Sequence, residues 1–162
     1  MTYAKYAVDI STLVHDRIVD EIGTTVYPQA NIGRTYFPRT KLEDLAEQPH
    51  VWVVTMPFDE DRVLRSKGSI LDLSVQITLQ KKVDPSDDIA LTSECDQLSI
   101  FVEELGNICR HDFPVQISGH KFSFGGTSPL RDDNGNLFSY EDMYNKHVFN
   151  AIFTAAYQTG KE

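Results

Sequence analysis

The sequence lacks most of the patterns that mark a membrane, secreted or catalytic protein. No apolar run in its 162 residues approaches the ~18 needed to span a bilayer. The first residues, MTYAKYAVDIS, have no uninterrupted apolar core and no small-residue cleavage pattern, which argues against a secretory signal. Cysteine is scarce. Cys95 and Cys109 fall in one predicted helix, about 21 Å apart at ~1.5 Å rise per residue, too far to bridge each other. They lack metal-site spacing and read as small buried hydrophobes in a reducing compartment. Basic residues are in deficit, 15 against 24 acidic, for a net charge of −9. That argues against tight binding to nucleic acid or anionic membrane, which needs clustered Lys and Arg. It leaves room for a surface past which DNA slides without sticking, because like charges repel.

Catalytic signatures are also missing: there is no HExxH, CxxC, GxSxG, P-loop or GxGxxG. The five histidines, at 15, 50, 111, 120 and 147, include no two at ligand spacing within one element. His15 and Asp16 are adjacent on a predicted helix, where neighbours are expected to point different ways, so the spacing predicts no dyad. The RDDNGN cluster fails as a calcium loop, because counting from Asp132 puts Leu137 and Met143 where glycine and glutamate are required. Only folding could bring His111, Asp112 and His120 together, the one route to a small metal-dependent hydrolase. A simpler role for His111 is to follow Arg110 at a helix C-terminus, where the dipole favours positive charge. The expectation is a binding or structural protein with no catalytic residue, cofactor or metal.

What is present is a period of two. From Ile70 to Val83, Leu71, Leu73, Val75, Ile77 and Leu79 alternate with polar residues before Lys81 interrupts the row. This is a strong strand signal, with one face on a core and the other on water or a polar neighbour. Thirteen steps of ~3.3 Å would span about 43 Å, longer than most strands, so some of that length needs a use outside the subunit. Lys81 marks where the strand is expected to leave its own core. A second strand, Val51–Met56, is nearly all apolar and reads as buried on both faces. The thirteen residues between the two, Pro57 to Ser69, exceed an ordinary hairpin loop. Acidic Asp59, Glu60 and Asp61 precede basic Arg62, Arg65 and Lys67 there, a split that suits charge-matched docking.

Two helices are expected. One carries Ile10, Leu13, Val14, Ile18 and Ile22, with Tyr3 and Tyr6 as a backward extension, Asp9 or Ser11 as cap and Gly23 as stop. The other carries Leu98, Phe101, Val102, Leu105, Ile108 and Cys109, with Ser93 and Asp96 as a capping box. Short strands are expected at Thr24–Tyr27 and Ile32–Phe37, with a helical turn or loop at Leu42–Ala46. Two more strands flank Ser118–Gly119, and Gly125, Gly126 and Pro129 should make a loop. The end of the chain reads as a helical turn at Ser139–Tyr144 followed by a strand from Val148 to Tyr157. The fold class is α+β: one domain over residues 1–162, a mixed and mostly antiparallel sheet with two main helices on one face and a long hairpin loop at 57–69.

In order, the chain shows an amphipathic helix, RTYFPRTKLEDL, a strand HVWVVTMP, a charged loop and a long strand ending SVQITLQKKVD. A second amphipathic helix and a closing VFNAIFTAAY strand follow. This resembles the tail terminator, or tail completion, proteins of tailed bacteriophages, over Val8 to about Thr159 and most specifically over Arg34–Val83. The resemblance implies a virion protein of the phage neck, assembled in the host cytoplasm, that forms a homo-hexameric ring at the head-proximal end of the tail tube. Such a ring ends tube polymerisation and docks with the head–tail connector or stopper protein. Genomic DNA only passes through its lumen, and no membrane is involved. Another neck component, a stopper or minor capsid completion protein, is the nearest alternative.

The family brings no catalytic residues, so the interface candidates come from the chain itself. They are Asp59, Glu60, Asp61, Arg62, Arg65 and Lys67 of the loop, and Gln76, Thr78, Gln80, Lys81 and Lys82 of the long strand. We predict that Arg62→Glu with Arg65→Glu weakens assembly while the monomer stays folded. Unaltered assembly by sedimentation would remove the docking role from the loop.

Overall fold

The computed structural model describes residues 3–38, 47–56, 72–131 and 133–159. Helix α1 (Tyr3–Glu21) leads through a 3-10 turn (Ile22–Thr24) to strand β1 (Asn31–Thr35). Then come β2 (His50–Thr55), β3 (Asp72–Lys82), helix α2 (Asp88–Arg110), β4 (Val115–Ile117) and β5 (His120–Leu130). A short helix α3 (Tyr140–Lys146) and β6 (Val148–Thr159) complete the order. The strands form one six-stranded sheet in the order β1-β2-β3-β6-β5-β4, parallel only between β1 and β2 and curled into a half-barrel rather than flat. The class is α+β, as expected.

The alternation in β3 sets the core. Leu73, Val75, Ile77 and Leu79 are all within 1% of complete burial, and the matching face of β6 adds Phe149, Ala151, Phe153, Ala155 and Tyr157. α1 presents Tyr6, Ile10, Val14 and Ile18 to this surface, and α2 presents Leu91, Leu98, Phe101, Leu105 and Ile108. These positions recur at three- and four-residue steps, so each helix offers one apolar stripe.

Several expectations change. α1 begins at Tyr3, so Asp9 and Ser11 are interior residues rather than caps. Ser11 is fully buried because its hydroxyl bonds the Thr55 hydroxyl at 2.8 Å, and Arg34 donates to the same Thr55 oxygen at 2.7 Å. A buried hydroxyl is tolerable when partnered in this way. α2 begins ten residues before Leu98 because Asp87 caps it, accepting from the amides of Ile89 and Ala90. Ser93 is therefore inside the helix and closes no capping box.

Thr24–Tyr27 forms no strand. Leu42–Ala46 and the 57–69 loop lie outside the described residues. The expected loop at Gly125–Pro129 is instead the second half of β5. The strand continues through a bulge between Phe124 and Gly126, where Gly126 takes φ 120°, a conformation open to glycine. Pro129 is tolerated because β4 pairs only with residues 120–122, leaving the far edge of β5 without a strand that would need its missing N–H.

The length of β3 has a different use from the expected one. All eleven of its residues pair with β6, from Asp72↔Gln158 to Lys82↔Val148, so the described strand has no surplus. Lys81 does not leave the core side: it pairs with Phe149 in the ladder while its amine reaches Glu94 on α2. Both apolar and ionic contacts thus hold this end of β3 beneath α2.

At the other end of the helices, Arg17 donates to the carbonyls of His111 and Asp112 and stands 4.8 Å over the Phe113 ring. Tyr157, buried between Phe113 and Phe124, donates its hydroxyl to the Cys109 carbonyl at 2.8 Å. Burial pushes the Cys109 thiol up to about 12, which makes it an inert core residue.

The two faces of β3 should respond differently to truncation. Ile77→Ala is expected to lower unfolding stability by about 2–5 kcal/mol through lost burial and the cavity left behind. Ser74→Ala, on the other face, should change it by less than about 0.5 kcal/mol. Equal losses in urea unfolding would contradict this assignment of the core.

Candidate interface on the face opposite α1 and α2

The side of the sheet opposite α1 and α2 is built from the alternate residues of the same strands. Register aligns them in rows: Val54–Gln76–Thr154, Trp52–Thr78–Ile152 and His50–Gln80–Asn150, each crossing β2, β3 and β6. Thr78 is 2% exposed and Val54 6%, while most of their neighbours are half-buried. Thr78 lies between Trp52 and Ile152 and accepts from the Gln76 amide at 3.2 Å. The surface therefore combines apolar area with side-chain amides, unlike the evenly polar face that the alternation suggested.

Trp52 depends on β1. Its ring lies so close to Gly33 that an added Cβ there would meet the indole at 2.6 Å, so any larger residue must displace the ring. On its other flank Trp52 is stacked by His50, with centroids 4.5 Å apart and planes inclined by 14°. Burial lowers the His50 pKa because a half-buried site disfavours the imidazolium.

The His50 row has a further property. His50 Nδ1, Gln80 Oε1 and Asn150 Oδ1 are all shielded from solvent and make no hydrogen bond among the described residues. Asn150 is oriented by its own amide, which donates to Asp142 at 3.2 Å and so turns the carbonyl oxygen away. Three neighbouring strands thus hold shielded polar atoms whose bonding capacity the described residues leave unmet. A buried polar atom without a partner costs about 1–3 kcal/mol, a cost that an incoming donor relieves.

Of the sequence-based candidates, Gln76, Thr78 and Gln80 fall together in the middle of this face, and Lys82 is exposed at its end. Lys81 belongs to the opposite face, and its ion pair with Glu94 takes it out of the group. Asp59, Glu60, Asp61, Arg62, Arg65 and Lys67 lie outside the described residues. His50, Trp52 and Asn150 were not anticipated. In β2 the apolar run around Trp52 hides the alternation, and Asn150 gains meaning only from its register with Gln80.

The residues considered for hydrolysis are held by separate elements. His111 pairs with Glu21 on α1 and, at 3.6 Å, with its neighbour Asp112, whereas His120 Nδ1 meets the Tyr6 hydroxyl at 2.9 Å. Among the described residues no three His, Cys, Asp or Glu side chains gather in a way that could hold a metal ion. No helix among them is long and apolar enough to cross a membrane.

Trp52 is the chain's single tryptophan, so its emission reports on this face directly. A protonated imidazole stacked on indole quenches it. Because the folded His50 pKa lies below the unfolded value of about 6.5, His50 favours the fold fully above that pH. Its contribution is lost as pH falls toward the folded pKa. Emission should drop on acidification with a midpoint below about 6.5, and His50→Gln should abolish the drop. A midpoint at or above the ordinary histidine value would contradict the burial of His50. Set beside known proteins, the chain matches no family model and no curated sequence.

Proposed function

We propose that this chain is the subunit of a ring that ends a bacteriophage tail tube and docks the tail to the head–tail connector. The observation that carries the reading is the face opposite α1 and α2, where one shielded polar atom each of His50, Gln80 and Asn150 has no hydrogen bond among the described residues, beside Trp52 and Ile152. A ring subunit needs a surface of this kind: apolar enough to gain from burial and polar enough to set register with a neighbour. The resemblance of RTYFPRTKLEDL and SVQITLQKKVD to tail terminators supplies the identity of the ring, and the α+β sheet with helices on one face agrees with it.

The net charge of −9 fits the same role, since a channel for DNA works best when its wall does not bind the phosphates. In this reading the partners are five further copies of the chain, the tail tube protein on one side and the connector or stopper protein on the other. The ring belongs to the phage neck.

Native mass spectrometry of the purified protein, alone and with tail tubes, is the deciding measurement. A hexamer, or a monomer that becomes hexameric only on tubes, is expected. A stable dimer would count against a ring. Disrupting the gene should give overlong tails unattached to heads, whereas tails of correct length would exclude a terminator. Density at the portal face, rather than between tube and connector, would assign the chain to another neck component.

A further inference from the structure

The two edges of the sheet carry features of opposite shape. At the β1 edge, Phe37 is 75% exposed, with Tyr36 and Met56 also exposed beside it at the same ends of parallel strands β1 and β2. An exposed apolar cluster of this kind commonly marks a contact surface. Phe37 is not a loose residue: its amide donates to the Thr35 hydroxyl at 3.1 Å, and that hydroxyl reaches the Phe37 carbonyl at 3.3 Å. The short turn fixes the backbone at Phe37, so less main-chain freedom remains to be lost on contact.

Toward the other edge, α2 crosses β5 and β6 and leaves a groove of about 360 Å³. Phe124, Phe153, Val102 and Leu137 supply its apolar lining, and Glu103 and Arg110 are among its polar residues. Its volume is near the lower end of the range for ligand sites, about 300–1,000 Å³, a scale suited to an aromatic anchor. Gly106 keeps the groove open on the helix side, since a Cβ there would meet only Thr127, at 3.8 Å.

Charge points the same way. Among the described residues 22–38, which include Phe37, Arg34 is the one charged side chain, and its guanidinium stands 5.7 Å from the centroid of the Tyr36 ring. α2, the wall of the groove, carries Asp88, Glu94, Asp96, Glu103 and Glu104 against Arg110 alone. A basic side chain beside an aromatic knob complements an acidic helix flanking an apolar groove.

We infer that Phe37 of one copy enters the α2–β5 groove of the next, so that copies join head to tail through opposite edges of the sheet. The inference rests on the ring reading and adds to it a contact separate from the His50 row. A knob and a groove on different edges make a heterologous interface, which generates a ring when the rotation closes.

The test uses the full chain in sedimentation velocity and native mass spectrometry. Phe37→Ser removes the knob at an exposed position, and its unfolding temperature should match the parent. Gly106→Leu fills the groove from a helix position that favours leucine over glycine, and Glu103→Lys reverses a groove charge on the surface. Each variant alone should lose the assembly that the parent forms. Phe37→Ser mixed with Gly106→Leu should restore one contact only, giving heterodimers and nothing larger.

Assembly of folded Phe37→Ser or Glu103→Lys at the parent's level would overturn the contact. If the parent forms a hexamer that Phe37→Ser leaves intact, the contact falls and the ring stands. If the parent forms only a dimer that Phe37→Ser dissolves, the contact stands and the ring falls. A parent that stays monomeric with and without tail tubes would remove both.

Discussion

The ladder between β3 and β6 is the constraint on which the rest of the molecule depends. Eleven consecutive pairs fix the phase of both strands, and every odd-numbered residue of each faces the helices. Side chains alternate with a period of two, so a slip of one position would turn the entire core set toward the bare face. Neighbouring features inherit that phase. Val51 and Val53 are buried because β2 pairs in register with Ile77 and Leu79, and Trp52 shares a face with Thr78 for the same reason.

That phase separates two kinds of chemistry. On the helix side almost every polar atom has a named partner: Ser11, Thr55 and Arg34 satisfy one another, and Lys81 reaches Glu94. On the opposite side one polar atom each of His50, Gln80 and Asn150 has no hydrogen bond among the described residues. The contrast follows from connectivity, since α1 and α2 pack on the same side of the sheet. The proposed ring role draws on this asymmetry, because a subunit that satisfied both faces internally would have little left to offer a neighbour.

Much of the local architecture was legible in the chain. The alternation in β3, the stripe of α2 from Leu98 to Cys109, and the change from a helical turn to a strand near Val148 all appear where the periodicity places them. Three of the misreadings share a physical cause: they concern residues whose outcome is set by partners beyond their own element. Ser11 resembles a helix cap until Thr55 is placed beside it, 44 positions along the chain. Pro129 resembles a strand breaker until β4 is seen to be too short to pair with it. Lys81 looks like an exit from the core until Glu94 arrives above it. Periodicity reports which face a residue takes, while register decides what it meets there. The half-buried amides of Gln80 and Asn150 are the plainest instance, two ordinary polar residues that become a site only by standing opposite each other.

The order of the strands has a kinetic consequence. β6, which sits at the centre of the sheet beside β3, follows every other strand in the chain. As synthesis proceeds, β1, β2 and β3 emerge early with the β6 edge of β3 unpaired, and β5 waits without its main neighbour. Loop-closure entropy for the β3–β6 ladder must be met across more than 60 intervening residues before its contacts are gained. The hydrophobic core and the three-strand rows are therefore complete only once β6 has docked. A nascent chain lacking β6 can show the Phe37 knob but not the finished α2–β5 groove, whose lining includes Phe153.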